Sequence, residues 1–193
     1  MGAKRNLVVI GNGMAGARTV EEILARGGAD LFNIAMFGDE PFGNYNRIML
    51  SAVLDGSREA TEIVLNPLAW YERNAIRLHA SIHATRIFRF ARRVLGADGS
   101  EEPYDNLIIA TGSRSFVPPL LGLTQGDGST KAGIFGFRSL DDCRRMADYA
   151  TGKRRAAVIG GGLLGLECAH GLQSLGPRSP RHASLAPPDE PAA

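Results

Sequence analysis

The sequence predicts an α/β protein with a three-layer first domain, made of a parallel sheet and a β-meander, and a second α/β unit that is incomplete at its C-terminus. The first two observations, which are two similar stretches of sequence, predict the parallel sheets. Apolar runs at 7–10 and 156–159 are each followed by a glycine-rich turn and a helical pattern. The third observation is a strand-like pattern from Ile76 to about Ile109, which includes a β-meander expected between Ile76 and Val94.

The first βαβ unit follows from the pattern of apolar residues. Leu7–Ile10 is predicted to be a buried strand because all four residues are apolar and most are β-branched. A helix is predicted from Met14 to about Arg26, where apolar residues recur at helical spacing and a glycine pair then ends the element. We expect Phe32–Phe37 and Leu107–Ala110 to pair in parallel with the first strand.

Later elements are predicted in the same way. Asn66 is expected to cap a short helix that has Pro67 in its first position and reaches Asn74. Residues 97–100, Ala-Asp-Gly-Ser, predict a hairpin turn. Ser139 starts an amphipathic helix, and a final strand over 156–159 precedes a final helix over 163–175.

Composition and charge exclude several classes of protein. The net charge of +2 gives no field for nucleic acid or an anionic membrane surface, and arginines near Phe88 are interpreted as the solvated face of the meander. No apolar run approaches the roughly 18 residues of a membrane-spanning helix. Cys143 and Cys168 form neither a disulfide framework nor a metal-ligand spacing, so a reducing, cytoplasmic setting is expected and both are interpreted as inert core thiols. None of the four histidines has a partner that the sequence reveals.

The first glycine-rich turn has the spacing of a dinucleotide-binding fingerprint. Gly11 permits the tight turn, Gly13 lets the backbone approach a pyrophosphate, and Gly16 lets helix and strand pack closely. The start of the following helix offers free N–H groups to phosphate. Asp39 lies 23 residues beyond Gly16 at the end of the second strand, where an acidic group can bind ribose hydroxyls.

A second fingerprint repeats this arrangement at Gly160, Gly162 and Gly165, after the strand expected at 156–159. Two fingerprints in one short chain are more specific than one. They imply two nucleotides, of which one is a bound redox cofactor and the other a soluble electron donor.

With both fingerprints in place, the chain resembles the flavin-dependent pyridine nucleotide-disulfide oxidoreductases, which have a glutathione-reductase-type fold. The stretch 106–113, Asn-Leu-Ile-Ile-Ala-Thr-Gly-Ser, is similar to the family's strand end near the flavin. The stretch 37–51 is similar to that of ferredoxin-reductase-like members. Together with 9–16 and 160–167, it looks most like the large subunits of assimilatory NAD(P)H nitrite reductases and the related electron-transfer subunits of nitrate reductases.

The resemblance implies FAD at the first fingerprint, NAD(P)H at the second, and electron transfer from flavin to an iron–sulfur or sirohaem acceptor. No side chain is assigned a catalytic role, because hydride transfer between these cofactors needs no acid or base from the protein. Arg47 is expected at the flavin phosphate or isoalloxazine edge, and Glu167 near the nicotinamide. The predicted cofactor-binding residues are Gly11, Gly13, Met14, Ala15, Gly16, Asp39, Glu40, Arg47, Ser51, Ile82, Ala110, Thr111, Gly112, Gly160, Gly162, Gly165 and Glu167.

The chain also departs from the family pattern. Residues 44–55 contain no cysteine, which excludes the dithiol mechanism of the disulfide-reducing members, and the cysteine motifs of iron–sulfur and sirohaem sites are absent. Two alternatives therefore stay open beside a nitrite reductase portion. One is a ferredoxin- or rubredoxin-reductase-like component, and the other is a non-catalytic nucleotide-binding remnant.

These observations divide the chain into four parts. Residues 1–115 are expected to be an FAD-binding domain, 116–152 a connecting segment with a helix, and 153–176 the start of an NAD(P)H-binding domain. Residues 177–193 hold five of the ten prolines and are expected to be a disordered tail, foreign to the ancestral fold through a shifted reading frame or a truncation.

Overall fold

A computed structural model describes residues 3–117 and 119–175, which form two compact units. The first unit contains the residues up to 46 together with 64–113, and the second contains 47–63 together with the residues from 114 onward. The tail expected at 177–193 lies outside the described residues. None of the described helices combines the length and hydropathy that a bilayer crossing requires.

Nine strands and six helices are numbered here in chain order over the described residues. The strands are β1 (Arg5–Ile10), β2 (Phe32–Gly38), β3 (Asn44–Tyr45), β4 (Val64–Asn66), β5 (Arg77–Ala80), β6 (Ala84–Phe88), β7 (Arg93–Gly96), β8 (Glu101–Pro103) and β9 (Asn106–Ile109). The helices are α1 (Met14–Ala25), α2 (Gly28–Leu31), α3 (Leu50–Leu54), α4 (Leu68–Arg73), α5 (Leu140–Ala150) and α6 (Leu163–Ser174). Two 3₁₀ turns lie at Arg47–Met49 and Ala60–Ile63.

The main sheet of the first unit has the strand order β5-β2-β1-β9, and all of its pairs are parallel. Val9 on β1 lies opposite Met36 on β2 and Ile108 on β9. The predicted parallel pairing of the three strands is therefore confirmed.

Both faces of this sheet are covered, which explains why β1 is apolar at every position from Leu7. Leu7 and Val9 pack with Val20 of α1 on one face, whereas Val8 and Ile10 pack with Val94 of the meander on the other. Each fully buried side chain of this kind stabilises the fold by about 1.5–3 kcal/mol. Helix, parallel sheet and meander are the three predicted layers.

The β-meander consists of β6, β7 and β8 in antiparallel order and so lies further along the chain than predicted. The stretch 77–80 instead pairs with β2 in parallel and extends the main sheet. The predicted β-meander is confirmed, but its predicted bounds, Ile76 to Val94, were wrong because strands of either sheet share the same two-residue period. The predicted hairpin turn is confirmed, with Gly99 at φ +86° and Gly96 N–H donating to the Ser100 carbonyl at 2.8 Å.

A buried carboxylate connects the meander to the main sheet. Glu102 on β8 accepts from Arg77 at 2.6 Å and contacts His79 Nε2 at 2.7 Å, and both of these partners lie on β5. The His79 ring also stacks on Phe37, with 4.5 Å between centroids. His79 therefore has a partner that the sequence did not reveal, because the contact joins residues 23 positions apart.

Replacing Glu102 by glutamine is expected to lower the free energy of unfolding by about 1–2 kcal/mol, because the charge-assisted hydrogen bonds of a buried group are weakened. Urea unfolding followed by circular dichroism measures this change. The matched control is Glu101→Gln on the same strand, whose ion pair with Arg93 is exposed and contributes less than about 0.5 kcal/mol. Equal effects of the two substitutions would contradict this account.

Regular secondary structure in the described part of the second unit consists of helices, 3₁₀ turns and one isolated bridge between Thr124 and Thr130. Helix α3 packs on α5 and α6, and its Leu54 side chain lies directly against Gly171 of α6. The predicted helix start at Ser139 is confirmed, since its hydroxyl accepts from Asp142 N–H at 3.1 Å and the Asp142 carboxylate accepts from Ser139 N–H, which forms a capping box.

Two predicted local features were wrong. Residues 156–159 form no strand, because a strand requires a hydrogen-bonded neighbour and no described segment pairs with them. Pro67, rather than Asn66, occupies the N-cap of α4. The Asn66 side chain is buried and bonds to Asn44 and Glu21 instead of capping the helix.

Candidate nucleotide-binding site

The turn between β1 and α1 has the geometry that a dinucleotide pyrophosphate requires. Gly11 has φ +110°, and a Cβ there would overlap the Ala110 carbonyl oxygen. A Cβ on Gly16 would overlap the Gly11 carbonyl oxygen, whereas a Cβ on Gly13 meets nothing within 4 Å. The outer two glycines are thus needed for the fold, and the middle one leaves open the approach to the backbone.

The N-terminus of α1 has the character of an anion site. Gly13 is its N-cap, with φ −78° and ψ −175°, and it supplies no side-chain cap. The N–H groups of Met14, Ala15 and Gly16 belong to the first turn, where a helix has no internal partners for them. This turn carries no acidic side chain. The positive end of the helix dipole is therefore available to a phosphate group, and these residues fit a bound pyrophosphate.

The two predicted acidic residues follow β2 but differ in their surroundings. Asp39 is exposed and makes no hydrogen bond to any described residue. The Glu40 carboxylate accepts from the Tyr45 hydroxyl at 2.6 Å. Ile82, which follows β5 in the chain, donates its backbone N–H to the Gly38 carbonyl at 3.0 Å. This bond continues the contact between β2 and the segment after β5. Asp39 is therefore the more accessible of the two predicted acids.

The end of β9 lies on the opposite side of the glycine turn from β2. Ala110 N–H donates to the Ile10 carbonyl at 2.7 Å, and the Ala110 carbonyl lies against Gly11. Thr111 and Gly112 follow in an exposed turn in which Gly112 has φ +72°. Gly11 N–H completes the link by donating to the Phe37 carbonyl at 2.9 Å. The glycine turn, the end of β2 and the end of β9 thus meet at the carboxyl edge of the parallel sheet. Open α/β sheets bind their ligands at this edge.

Behind the glycine turn is a buried polar network that the sequence analysis missed. Tyr71 donates to Asn12 Oδ1 at 2.7 Å and accepts from Asn44 N–H at 3.1 Å. Asn44 Nδ2 donates to Asn66 Oδ1 at 2.9 Å, and Asn66 Nδ2 donates to Glu21 on α1 at 2.8 Å. Asn44 Oδ1 is buried and has no partner among the described residues. No local pattern signals the network, because its members lie up to 59 residues apart.

Arg47 and Ser51 belong to the second unit. The Arg47 guanidinium donates to the Arg138 carbonyl at 2.8 Å, which ties the 3₁₀ turn to the segment before α5. Arg47 and Ser51 are both partly buried. Their predicted roles at the flavin stay predictions.

The second fingerprint reproduces the local geometry of the first. Gly160 has φ +119°, a Cβ on Gly162 meets nothing within 4 Å, and a Cβ on Gly165 would overlap the Gly160 carbonyl oxygen. Gly162 is the N-cap of α6, whose first turn again has neither a side-chain cap nor an acidic residue. Glu167 lies partly buried on α6. This turn therefore also fits a nucleotide phosphate.

The two cysteines are buried in the second unit, as the sequence analysis expected. Burial is the main cause that raises the pKa of Cys143 to about 12 and that of Cys168 to about 11. Cys143 Sγ donates to the Leu50 carbonyl at 3.6 Å. Thiols held in this protonated form are poor nucleophiles.

Both thiols are expected to resist alkylation at pH 8 in the folded chain and to react once urea unfolds it. The raised pKa lowers the thiolate fraction at pH 8 about a hundredfold or more relative to an ordinary thiol, and reactivity should rise as the pH approaches 11. Mass spectrometry after timed iodoacetamide treatment measures this difference. Rapid alkylation without urea at pH 8 would contradict the burial of these residues.

Comparison with known proteins agrees with this geometry. The sequence profile of the pyridine nucleotide-disulphide oxidoreductase family matches residues 5–180. Two relatives from Bacillus subtilis (strain 168), an NAD(P)H nitrite reductase and an assimilatory nitrate reductase electron transfer subunit, are 44% and 42% identical over 173 residues. These matches cover 90% of this chain but 21% and 22% of the relatives, so the chain spans about a fifth of their length.

Solved structures give the same result for the fold. NADH:rubredoxin oxidoreductase from Clostridium acetobutylicum has a TM-score of 0.77 and 26% identity, over 92% of this chain and 44% of that one. A covalent putidaredoxin reductase–putidaredoxin complex has a TM-score of 0.77 and 31% identity, over 90% of this chain and 41% of the matched chain.

Proposed function

The chain belongs to the pyridine nucleotide-disulphide oxidoreductase family, and we propose that its first unit binds FAD with the pyrophosphate at the N-terminus of α1. The observation that carries this proposal is that no side chain caps the N-terminus of α1 and that the space next to the Gly13 Cα is free of protein atoms. The first-turn N–H groups of Met14, Ala15 and Gly16 donate to the pyrophosphate, and Asp39 accepts from the ribose hydroxyls. FAD and NAD(P)H are the cofactors of this family, as the two fingerprints predict.

The second fingerprint binds the pyrophosphate of NAD(P)H in the same manner at Gly160, Gly162 and Gly165. When bound, the cofactors would supply the redox chemistry, namely hydride donation by the nicotinamide and one-electron donation by the flavin. The protein binds and orients the nucleotides. The buried thiols of Cys143 and Cys168 have no part in this proposal, because burial keeps both protonated.

We infer that the chain corresponds to the FAD and NAD(P)H portion of a nitrite reductase large subunit, with an iron–sulfur or sirohaem group as the electron acceptor. The 44% identity to an NAD(P)H nitrite reductase supports this choice. The similarity to structures of rubredoxin and putidaredoxin reductases favours the second candidate, a flavoprotein that reduces a small iron–sulfur protein.

Titration of the purified chain with FAD tests the proposed site, and reduction of a dye by NADH or NADPH in the presence of FAD tests the oxidoreductase activity. Saturable binding of one FAD per chain supports the proposal. Dye reduction identifies an enzyme, whereas binding without turnover identifies a nucleotide-binding module. A chain that folds but binds no FAD would rule out the proposed site.

Replacing Asp39 by asparagine is expected to weaken FAD binding by about 1–3 kcal/mol, because a charged acceptor for the ribose hydroxyls is lost. Glu40→Gln is the matched control. It should weaken FAD binding less, since the Glu40 carboxylate already accepts from Tyr45. Fluorescence titration of the two variants measures the difference. A larger loss of affinity in Glu40→Gln would assign the ribose to Glu40 instead.

A further inference from the structure

We propose that Asn12 is an additional nucleotide-binding residue, whose carboxamide NH₂ donates to an acceptor oxygen of the bound dinucleotide, and that Tyr71 is the positioning residue that orients it. This inference rests on the proposed FAD site in the first unit. It assigns a role to the variable residue between Gly11 and Gly13, for which the fingerprint itself specifies no side chain.

The hydrogen-bond donors around Tyr71 fix the orientation of the Asn12 amide. The Asn44 backbone N–H can only donate, so the Tyr71 oxygen accepts from it at 3.1 Å. The hydroxyl proton of Tyr71 is then directed to Asn12 Oδ1 at 2.7 Å. Burial raises the pKa of Tyr71, so the hydroxyl retains this proton. With its oxygen held by Tyr71, Asn12 presents its nitrogen elsewhere.

Tyr71 is held rigidly by its surroundings. Only 1% of its surface is exposed, and Trp70 contacts its ring edge-on with 5.0 Å between centroids. Asn44, which bonds to its oxygen, is fixed in turn by Asn66. The Glu21 carboxylate can only accept from Asn66 Nδ2, which dictates the orientation of both amides. Because Tyr71 is fixed, the Asn12 side chain that it holds loses little entropy when it binds a ligand.

The Asn12 side-chain nitrogen lies where it could donate a hydrogen bond to a bound dinucleotide. This nitrogen makes no hydrogen bond within the part of the chain that the structure describes. Asn12 is only partly buried, so the nitrogen is accessible to a ligand. The Asn12 Cβ and Nδ2 lie 2.8 Å and 3.7 Å from the position that a Cβ on Gly38 would occupy. Asn12 thus lies between the glycine turn and the end of β2, against Gly38, which precedes Asp39. Phosphate oxygens and ribose hydroxyls both accept from such a group.

Replacing Asn12 by alanine is expected to weaken FAD binding about tenfold, which corresponds to the loss of one hydrogen bond. Titrations with ADP and with adenosine distinguish the two sources of the acceptor. A loss of affinity for FAD and ADP alone identifies a phosphate oxygen, and a loss that extends to adenosine identifies a ribose hydroxyl. FAD affinity of Asn12→Ala within about twofold of wild type would overturn the proposal.

A double-mutant cycle tests the positioning role of Tyr71. Tyr71→Phe should weaken FAD binding about three- to tenfold in the wild-type background but less than about twofold in the Asn12→Ala background. A purely structural role would give equal effects in both backgrounds and would reject the positioning role. The control is Asn74→Ala at the C-cap of the same helix. It removes a hydrogen bond to Trp70 and should lower stability without changing FAD affinity.

Failure of this inference and failure of the proposed function give different results. A wild-type chain that binds FAD, with Asn12→Ala unchanged, rejects the role of Asn12 and leaves the FAD site in place. A folded wild-type chain that binds no FAD rejects the proposed function and this inference with it.

Discussion

Replacing Gly13 by leucine is expected to abolish FAD binding while the first unit stays folded. A Cβ at this position meets no protein atom within 4 Å, so the fold tolerates the side chain. The leucine would fill the space through which a pyrophosphate reaches the backbone N–H groups of α1. The free energy of unfolding should fall by only about 1 kcal/mol, since leucine is a poorer N-cap than glycine.

Titration with FAD and urea unfolding of the same Gly13→Leu preparation separate these two effects. The expected result is an FAD affinity below detection together with a cooperative unfolding transition close to that of wild type. An unchanged FAD affinity would place the pyrophosphate elsewhere in the chain. A loss of the unfolding transition would show that the middle glycine is needed for the fold.

Replacing Gly16 by alanine is expected to have the opposite effect and to lower the free energy of unfolding by about 3 kcal/mol. Its Cβ would overlap the Gly11 carbonyl oxygen, which is backbone and cannot rotate away. Relief would require α1 to move from β1, and Val20 would lose its packing on Leu7 and Val9. Thermal or urea unfolding measures the loss. A change below about 0.5 kcal/mol would contradict the close approach of helix and strand.

Together the Gly13 and Gly16 variants separate two different reasons for a glycine within four residues of chain. A fingerprint read from sequence assigns both glycines to the same motif. The structure distinguishes them by what surrounds each Cα. The second fingerprint repeats the distinction, with an open Gly162 and a Gly165 packed against the Gly160 carbonyl.

β1 and α5, which depend on local signals, were predicted correctly, whereas the N-cap of α4 was assigned to Asn66 instead of Pro67. β1 was recognised because it is buried on both faces, and α5 because Ser139 and its apolar stripe define the start of a helix. Two predictions that depend on a distant neighbour were wrong, although the parallel pairing of β1 with β2 and β9 was predicted correctly. The stretch 77–80 was assigned to the meander because nothing local reveals its pairing with β2, and 156–159 was expected to be a strand although no described segment pairs with it.

The same distinction applies to the site. The placement of Gly11, Gly13, Gly16 and Asp39 at one end of the sheet could be predicted because the spacing of the fingerprint reflects the geometry of one βαβ unit, and their roles in binding stay predictions. The sequence analysis assigned no ligand-binding role to Tyr71, because nothing in its neighbours along the chain reveals what its hydroxyl contacts. Its bond to Asn12 spans 59 residues and depends on the final fold.

The most direct test of the central claim is an FAD titration of the wild-type chain beside the Gly13→Leu and Gly162→Leu variants. We expect one FAD per chain for wild type, the same affinity for Gly162→Leu, and no binding for Gly13→Leu. The two substitutions are chemically identical and both introduce a side chain into open space, so they differ only in the fingerprint they block. Equal FAD affinities for the two variants, or loss of FAD binding only in Gly162→Leu, would contradict the assignment of FAD to the first unit.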